Sequence, residues 1–326
     1  MLAAVYGNGS TELTLQEFPT PEPGPGMVRV RVAVSGVNPT DWKTRKGLTG
    51  RTPASADGFQ VPNQDGAGTI DAVGDGVDEA RIGERVWLLM AAHNSRYGTA
   101  AEYTVLPSEQ AITLPDTASF ELGASLGVPA LTAAYCLTAH EPLAGAAVLV
   151  SGGAGAVGHA AIELARFEQA GQIVATVSGP EKAALARAAG ADTVVNYRAA
   201  GAAEQIRAAA AHGIDRFVEV ALDQNLELDL AVAAPRALIT AYAADAQSVA
   251  QVAVRRLMAA NITLRFMLLY AVRPAERRAA VEITRRALAA GALTTLPLHR
   301  FTLAQAAAAH DAVERGAVGK VVIDLS

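Results

Sequence analysis

The chain has 326 residues, of which 51% are hydrophobic and 18% charged, and it carries a formal net charge of −5. This length and composition favour two globular domains, and the acidic balance argues against nucleic acid or an anionic membrane as a partner. The single cysteine, Cys136, excludes an intrachain disulfide, and the absence of a signal-peptide pattern or an apolar run of about 18 residues predicts a cytoplasmic protein without a membrane span.

The first third of the chain has the pattern of short strands separated by turns. Residues 27–34, MVRVRVAV, alternate between valine and other residues, which predicts a half-buried strand. PTPEPGPG at 19–26 predicts a turn before it. Further strands are predicted within 67–77, 83–89 and 100–107, so this region indicates a small all-β body, either a barrel or a sandwich.

From about residue 120 the pattern changes to alternating helices and strands. Residues 118–143 are mostly helical, with a predicted break at 127–129. The predicted strands of this region, each followed by a helical or turn pattern, are 146–151, 172–178, 193–197, 214–221 and 236–243. Such alternation predicts a parallel sheet covered on both faces. A helix at 275–290, a strand-like segment at 299–304 and a strand at 319–325 complete the prediction.

A glycine-rich loop joins the first strand of the alternating region to its helix. Residues 148–158, VLVSGGAGAVG, have the spacing G-x-G-x-x-G. In that motif the first glycine makes a tight turn, the second lets a pyrophosphate approach the backbone, and the third lets helix and strand pack closely. The helix N-terminus then attracts the anion. We therefore predict a dinucleotide site at Gly153, Ala154, Gly155, Ala156, Val157 and Gly158.

The end of the second strand of this region favours NADPH over NADH. NADH is usually held by an Asp or Glu about 20 residues after the glycines, whereas residues 177–179 here are Val-Ser-Gly. The missing carboxylate removes repulsion against a 2′-phosphate, which Ser178 and Lys182 could bind. Tyr197 lies nearby at the end of the third strand. The alternative for Lys182 is a solvated lysine on a helix.

A series of motifs then follows along essentially the whole chain. They are GVNPTDWKTRKG (36–47), DGAGTIDAVGDGV (65–77), GERVW (83–87), GTAAEYTVLP (98–107), GVPALTAAY (127–135), the glycine-rich loop, GADTVVNYR (190–198) and GAVGKVV (316–322). In this order they resemble the medium-chain dehydrogenase/reductase superfamily, in its zinc-free quinone reductase (zeta-crystallin-like) branch. The resemblance implies an α/β protein in which a Rossmann domain (122–267) is inserted into a GroES-like β-barrel substrate domain (1–121 plus 268–326).

The sequence departs from zinc-dependent members of this family at the metal ligands. Asn38 stands where those members carry a cysteine, and Asn63-Gln64-Asp65 stand where they carry Gly-His-Glu. The four-cysteine lobe for structural zinc is also missing, so we expect no metal. Reduction of a simple ketone normally needs a Lewis acid or a positioned acid, whereas a quinone or an activated alkene delocalises the added charge.

The resemblance also assigns roles to particular residues. It places Asn38 and Asp41 beside the nicotinamide as catalytic, positioning residues, although NPTD is equally typical of an Asx turn. It implies coenzyme contacts for Thr132, Tyr242, Phe266, Leu268 and Lys320, with sheet packing as the alternative for Phe266. Some quinone reductases carry a tyrosine two residues after the aspartate, but Trp42-Lys43 follow it here. Trp42, Tyr97 and Gln64 are therefore the candidates for the substrate pocket.

These observations leave three functions open. The first is an NADPH-dependent reductase of quinones that takes its proton from solvent. The second is an NADPH-dependent reductase of activated alkenes, either enones or enoyl thioesters. The third is a protein that binds NADPH without turnover. Residues 261–270, NITLRFMLLY, form an apolar, β-prone run, and the family resemblance implies that this edge pairs across a two-fold axis, so we expect a homodimer.

Overall fold

The computed structural model describes residues 1–7, 9–50, 58–138, 142–245 and 247–325. They form two compact units: unit 1 comprises Met1–Val128 and Pro297–Ser326, and unit 2 comprises Pro129–Leu296. The sequence predicts residues 122–128 in the second domain and 268–296 in the first, whereas the structure places 122–128 in unit 1 and 268–296 in unit 2. Residues 268–296 belong to unit 2 because Arg286 pairs with Glu168 and because Thr294 donates hydrogen bonds to Glu163.

Unit 1 consists mainly of β-structure. Its strands, numbered along the whole chain, are β1 (Leu2–Gly7), β2 (Ser10–Glu17), β3 (Met27–Val37), β4 (Phe59–Gln60), β5 (Asp65–Val73), β6 (Arg85–Leu88), β7 (Tyr103–Pro107), β8 (Ala111–Thr113), β15 (Leu298–Thr302) and β16 (Lys320–Asp324). Within the described ranges they form a small sheet, β2-β1-β4, and a larger one, β15-β16-β3-β5-β6-β8, in which β7 also pairs with β3. The helices of this unit are α1 (Pro39–Arg45), α2 (Phe120–Gly123) and α10 (Ala306–Glu314).

Strand β3 is the centre of the larger sheet and follows its predicted alternation. Val28, Val30 and Val32 are buried, whereas Arg31 between them is exposed. Strand β3 pairs with β16 on one side and with β5 on the other, both antiparallel. The carboxyl end of β3 therefore lies between the start of β16 and the start of β5, and this junction carries the polar cluster described below.

Unit 2 is a parallel sheet connected by helices. Its strands are β9 (Ala147–Ser151), β10 (Gln172–Val177), β11 (Thr193–Asn196), β12 (Ile214–Glu219), β13 (Ala233–Ala241) and β14 (Thr263–Phe266). Its helices are α3 (starting in unit 1, Gly127–Thr138), α4 (Ala156–Phe167), α5 (Pro180–Ala188), α6 (Ala202–Ala209), α7 (Leu222–Val232), α8 (Val254–Ala260) and α9 (Pro274–Ala289). In the described part of the chain the strand order is β11-β10-β9-β12-β13-β14, and all the pairings are parallel.

This strand order has a switch point between β9 and β12. The chain runs outward from β9 through β10 and β11, then returns to the other side of β9 with β12. In open parallel sheets, ligands bind at the carboxyl ends of the strands at such a point. The nearly continuous burial of β9 and β10 is typical of strands covered on both faces, as the sequence predicts.

The predicted helix break at 127–129 is wrong. Helix α3 begins at Gly127 and includes Pro129, and the interruption falls instead at residues 124–126. Proline is tolerated there because the backbone N–H that it lacks belongs to the first helical turn, where helix N–H groups have no partner within the helix. No helix among the described residues is both long and apolar enough to cross a membrane.

Candidate functional site

A buried polar cluster forms where β3 meets α1. Strand β3 ends at Val37, and Asn38 caps α1 in an extended conformation (φ −122°), because Pro39 fixes the first helical position. We call Asn38, Asp41, Asp65 and Lys320 the Asn38 cluster. Each of the four is at most 3% exposed, although one of them is amidic and three are ionisable. Buried groups of this kind need partners, and the cluster supplies them internally.

The Asn38 carboxamide is held from both sides. Its Nδ2 donates to Asp65 Oδ2 at 2.6 Å, and its Oδ1 accepts from Lys320 Nζ at 2.7 Å. A carboxylate accepts only and an ammonium donates only, so these partners determine which end of the amide is oxygen. One N–H of Nδ2 takes no part in these two hydrogen bonds.

Burial governs the charges of the Asn38 cluster. It raises the pKa of Asp41 to about 8, against the lowering effect of the Asn38 and Gln64 backbone N–H groups that its carboxylate accepts. It raises the pKa of Asp65 to about 6, although Lys320 opposes the shift. Burial likewise lowers the pKa of Lys320. The cluster therefore contains groups that change charge near neutral pH, which is a property of functional sites.

The sequence predicts no role for Asp65, but in the structure its carboxylate holds the cluster together. Its carboxylate also accepts the backbone N–H of Val128, at 2.8 Å from Oδ1 and 3.0 Å from Oδ2. A Cβ at residue 127 would lie 2.1 Å from Asp65 Oδ1, so Gly127 is required for this approach. The available signal was an acidic residue at the head of an otherwise small and apolar strand, DGAGTI.

The three candidates for the substrate pocket lie in unit 1. Gln64 is 4% exposed, and its Oε1 is buried without a hydrogen-bond partner in the described structure. Trp42 is half-buried on α1, with the Nζ atoms of Lys43 and Lys46 5.8 and 5.6 Å from its ring centroid. Tyr97 is half-buried, and its backbone contacts Ser95 and Thr104. Gln64 is linked to the Asn38 cluster through Asp41.

The glycine-rich loop of unit 2 has the predicted shape with one correction. The tight turn is made by Gly152, whose φ is +71°, and not by Gly153. Gly153 instead packs on the sheet, because a Cβ there would lie 2.8 Å from Ala175 Cβ. A Cβ on Gly158 would lie 2.3 Å from the Gly152 carbonyl oxygen, so this glycine allows the close packing of α4. The nearest atom to a Cβ on Gly155 is 3.4 Å away, which leaves room for a ligand.

The remainder of the loop forms the start of α4. Ala154 is buried, Gly155 is the N-cap of α4, and Ala156, Val157 and Gly158 make its first turn. The backbone N–H groups of a first helical turn have no partner within the helix, so they are available to a phosphate. These residues therefore fit the pyrophosphate of a dinucleotide.

The residues expected at a 2′-phosphate lie at the carboxyl ends of β10 and β11. Ser178 directly follows β10, and Tyr197 directly follows β11, where its backbone N–H donates to the Val177 carbonyl oxygen at 3.1 Å. Lys182 is half-buried in the first turn of α5. Tyr197 is 42% exposed, and the guanidinium carbon of Arg198 lies 5.8 Å from its ring centroid. The group is thus open and positively charged.

A second part of unit 2 forms a cavity of about 340 Å³ at the carboxyl ends of β13 and β14. It brings together Tyr242, Phe266 and Leu268, which the family resemblance places beside the nicotinamide, with Leu222, Ala241 and Met267 completing much of the wall. Burial raises the pKa of the Tyr242 phenol, and Cys136 adds to the shift. Phe266 and Leu268 are 70% and 60% exposed, so packing in the core does not explain why large apolar residues stand at these positions.

The remaining two predicted coenzyme residues are both buried. Thr132 is buried in α3. Lys320 belongs to the Asn38 cluster, where it hydrogen-bonds Asn38 and the Val37 carbonyl oxygen. In the described ranges, no group of three or more His, Cys, Asp and Glu side chains could hold a metal ion.

Two family models match the chain. The model described as alcohol dehydrogenase GroES-like domain matches residues 24–116, and the model described as zinc-binding dehydrogenase matches residues 156–286. The first match lies within unit 1 and the second within unit 2. They confirm the expected α/β class, with a GroES-like domain and a Rossmann-like parallel sheet.

Individual proteins are similar to the chain as well. Rat quinone oxidoreductase is 33% identical over 212 residues, which cover 64% of this chain and 62% of the rat protein, less than two thirds of its length. A mycobacterial quinone oxidoreductase structure is 30% identical, with a TM-score of 0.83 over 99% of both chains. The quinone oxidoreductase of Thermus thermophilus, solved also with NADPH, is 30% identical, with a TM-score of 0.81 over 100% of both chains.

Proposed function

The chain belongs to the medium-chain dehydrogenase/reductase superfamily of oxidoreductases, and we propose that it is an NADPH-dependent, zinc-independent reductase of quinones. The observation that carries this proposal is the Asn38 carboxamide, fixed between Lys320 and Asp65 where zinc-dependent relatives place a metal ligand. An amide in this position can donate a hydrogen bond to a substrate oxygen, but it supplies no Lewis acid. That favours an acceptor which delocalises its own charge.

The chain's own residues fit the dinucleotide. Gly155 leaves space for the pyrophosphate, and the first turn of α4 offers N–H groups to it. We propose that Ser178, Lys182 and Tyr197 bind the 2′-phosphate of NADPH, because residues 177–179 at the end of β10 are Val-Ser-Gly and carry no carboxylate to repel it. Tyr242, Phe266 and Leu268 would hold the nicotinamide end, and Thr132 is proposed near it. NADPH, when bound, supplies a hydride.

Unit 1 would position the acceptor. We assign Asn38 and Asp41 to substrate positioning, with Gln64, Trp42 and Tyr97 lining the pocket. The unpartnered Gln64 Oε1 supports this assignment, because a buried acceptor of that kind is costly unless a ligand satisfies it. A quinone that gains one hydride and one proton becomes a hydroquinone. We propose that the proton comes from solvent and that Lys320 acts by fixing Asn38.

We also propose that the protein works as a cytoplasmic homodimer. Strand β14 is an edge of the parallel sheet, and the chain just before it exposes large apolar side chains: Val249, Val254 and Met258. Exposed apolar edges of this kind are usually covered by another chain. A second copy is the occupant that the sheet edge favours, since pairing of two identical edges closes the assembly.

A panel of acceptors tests the proposed function. We would measure oxidation of NADPH by a benzoquinone, a larger fused-ring quinone, an enone and an enoyl thioester, with a metal chelator present. Rapid oxidation with the quinones supports the proposal. Turnover of the enone or thioester alone would assign the protein to the reductases of activated alkenes. NADPH binding without oxidation by any acceptor would instead make it a non-catalytic binding protein.

A further inference from the structure

A buried carboxylate joins the carboxyl ends of β9 and β12, at the switch point of the parallel sheet. Glu219 is the last residue of β12 and is fully buried. Its Oε2 accepts a hydrogen bond from the hydroxyl of Ser151, the last residue of β9. Its Oε1 accepts from the Ala221 backbone N–H and from Asn225 Nδ2, the latter at 2.9 Å. Neither the glycine motif nor the family resemblance indicated this link.

The link ends directly at the glycine-rich loop. Ser151 precedes Gly152, whose positive φ starts the turn of the loop. Glu219 therefore fixes the residue from which the loop departs. At the other end of the same two strands, Asp215 accepts the N–H of Ala147 at 2.8 Å, so an acidic side chain joins β9 and β12 at each end.

Asp229 is a second buried carboxyl group beside Glu219. It is fully buried on the inward face of α7, one helical turn after Asn225. Neither of its carboxyl oxygens accepts a hydrogen bond from a residue in the described ranges. Glu219 is the neighbour with which it can share a hydrogen bond. Two carboxylates cannot hydrogen-bond each other, but a carboxylic acid and a carboxylate can.

The surroundings favour a proton on Asp229. Burial raises its pKa well above the ordinary range, and the charge of Glu219 raises it further. A carboxylate offers about four acceptor positions. Glu219 uses three of them, so one position remains for a fourth donor. We propose that Asp229 is a positioning residue of the coenzyme site: as a carboxylic acid it donates to Glu219, and it thereby keeps Glu219 on Ser151 at the start of the glycine-rich loop.

The other titratable groups of the region do not take over the role of the Asp229 proton, because they are neutral, paired elsewhere or exposed. Tyr242 and Cys136 are held neutral, since burial raises the pKa of both. Arg265 on β14 acts on Cys136. Further out on α7, Asp223 is exposed, and the exposed Glu227 pairs with Arg256. On the facing helix α6, Arg207 pairs with Glu204 and donates to the Ala231 carbonyl oxygen.

Loss of the Asp229 proton would place two negative charges together in a buried site. Their repulsion would separate Glu219 from its donors, and the start of the loop would lose its anchor. The fraction of protein competent to bind coenzyme would then fall with rising pH. When only the protonated form binds, the apparent Kd increases by up to about tenfold per pH unit above the transition.

The test is the pH dependence of NADPH binding, and it rests on the proposed function. We would titrate NADPH by fluorescence with the wild type, Asp229→Asn and Asp215→Asn from about pH 6 to about pH 10. Asparagine donates to Glu219 at every pH, so the NADPH binding of Asp229→Asn should weaken less at alkaline pH than that of the wild type. Asp215→Asn, at the opposite ends of the strands, should weaken as the wild type does.

The outcomes separate the two proposals. If the wild type binds NADPH but its pH curve coincides with that of Asp229→Asn, the positioning role is contradicted and the proposed function stands. If the wild type binds no NADPH at any pH, the proposed function fails. A pH-dependent weakening that the wild type and the variants share cannot produce a difference between them.

A second variant covers the case in which Asp229→Asn does not fold. Glu219→Gln removes one of the two negative charges whose repulsion drives the loss, and its amide can donate to an Asp229 carboxylate, so its NADPH binding should weaken less at alkaline pH than that of the wild type. An unchanged pH curve would contradict the proposal. Urea unfolding without coenzyme gives an independent readout, because the advantage of Asp229→Asn over wild type should grow as the pH rises.

Discussion

At the scale of single residues, the Asn38 cluster combines a fixed amide with groups that titrate near neutrality. The pKa values of Asp41 and Asp65, about 8 and about 6, are both raised by burial. A carboxyl group with a raised pKa keeps a proton that the unfolded chain has released. The free energy of unfolding therefore falls as pH rises from the unfolded pKa towards the folded one.

This sign gives a prediction for Asp41→Asn. In the wild type, the Asp41 contribution to stability is present below about pH 4 and is lost as the pH rises through about 8. Asparagine does not titrate, so the variant should show a smaller fall in the free energy of unfolding between these limits. Urea unfolding over this range measures it, with exposed Asp116→Asn as the control. Parallel curves for wild type and Asp41→Asn would contradict the burial argument.

A second residue-scale prediction concerns coenzyme choice. Lys182→Ala should weaken NADPH binding by about tenfold, because one charge-assisted hydrogen bond to the 2′-phosphate is lost. NADH has no such phosphate, and its Kd should change by less than about twofold. Arg187→Ala, in the last turn of the same helix, is the matched control and should leave both Kd values unchanged. Equal losses for the two coenzymes would show that Lys182 does not read the phosphate.

At the scale of elements, the two glycines of the α4 N-terminus have separable tasks. A Cβ on Gly158 meets the Gly152 carbonyl oxygen at 2.3 Å, whereas a Cβ on Gly155 meets nothing closer than 3.4 Å. The first glycine is thus required for helix packing, and the second is open to a ligand. This difference gives a matched pair of variants on one helix.

Gly158→Ala should lower the stability of unit 2 by about 1–3 kcal/mol, as overpacking does, and should weaken NADPH binding as well. Gly155→Ala should leave the thermal midpoint nearly unchanged and weaken NADPH binding alone, because the methyl group occupies the space left for the pyrophosphate. Calorimetry and fluorescence titration measure the two effects. Normal NADPH binding by Gly155→Ala would contradict the assignment of this loop to the coenzyme site.

Elements also explain which parts of the site the sequence could predict. The strand, the glycine-rich loop and the helix are contiguous in the chain, so the residue spacing was enough to predict them. The exception is the tight turn, which lies at Gly152 and not at Gly153. The Asn38 cluster joins residues 27 and 282 positions apart in the chain. They meet because β3 lies between β16 and β5, and no local pattern contains that strand order. For that reason Asp65 had no assigned role, and the hydrogen bond between Lys320 and Asn38 was not predicted. The same reason applies to Ser151 and Glu219. They lie on β9 and β12, which are adjacent in the sheet but are separated in the chain by β10 and β11.

At the scale of the whole molecule, the exposed edge at β14 predicts the oligomeric state. Light scattering should give about twice the chain mass of 33.6 kDa. Met258→Glu, at a position that is 72% exposed beside this edge, should shift the protein towards monomer. Leu48→Glu, which is 55% exposed in unit 1, is the control and should leave the mass unchanged. A monomeric wild type would refute the assignment of a second copy to this surface.

The central claim is that this chain reduces quinones with NADPH and without a metal. The most direct measurement is the loss of reduced-nicotinamide absorbance when purified protein, NADPH and a quinone are mixed in the presence of a chelator. We predict rapid oxidation of NADPH that the chelator does not slow, and we expect NADH to be a poorer hydride donor than NADPH. Oxidation that the chelator abolishes, or none with any quinone, would contradict it.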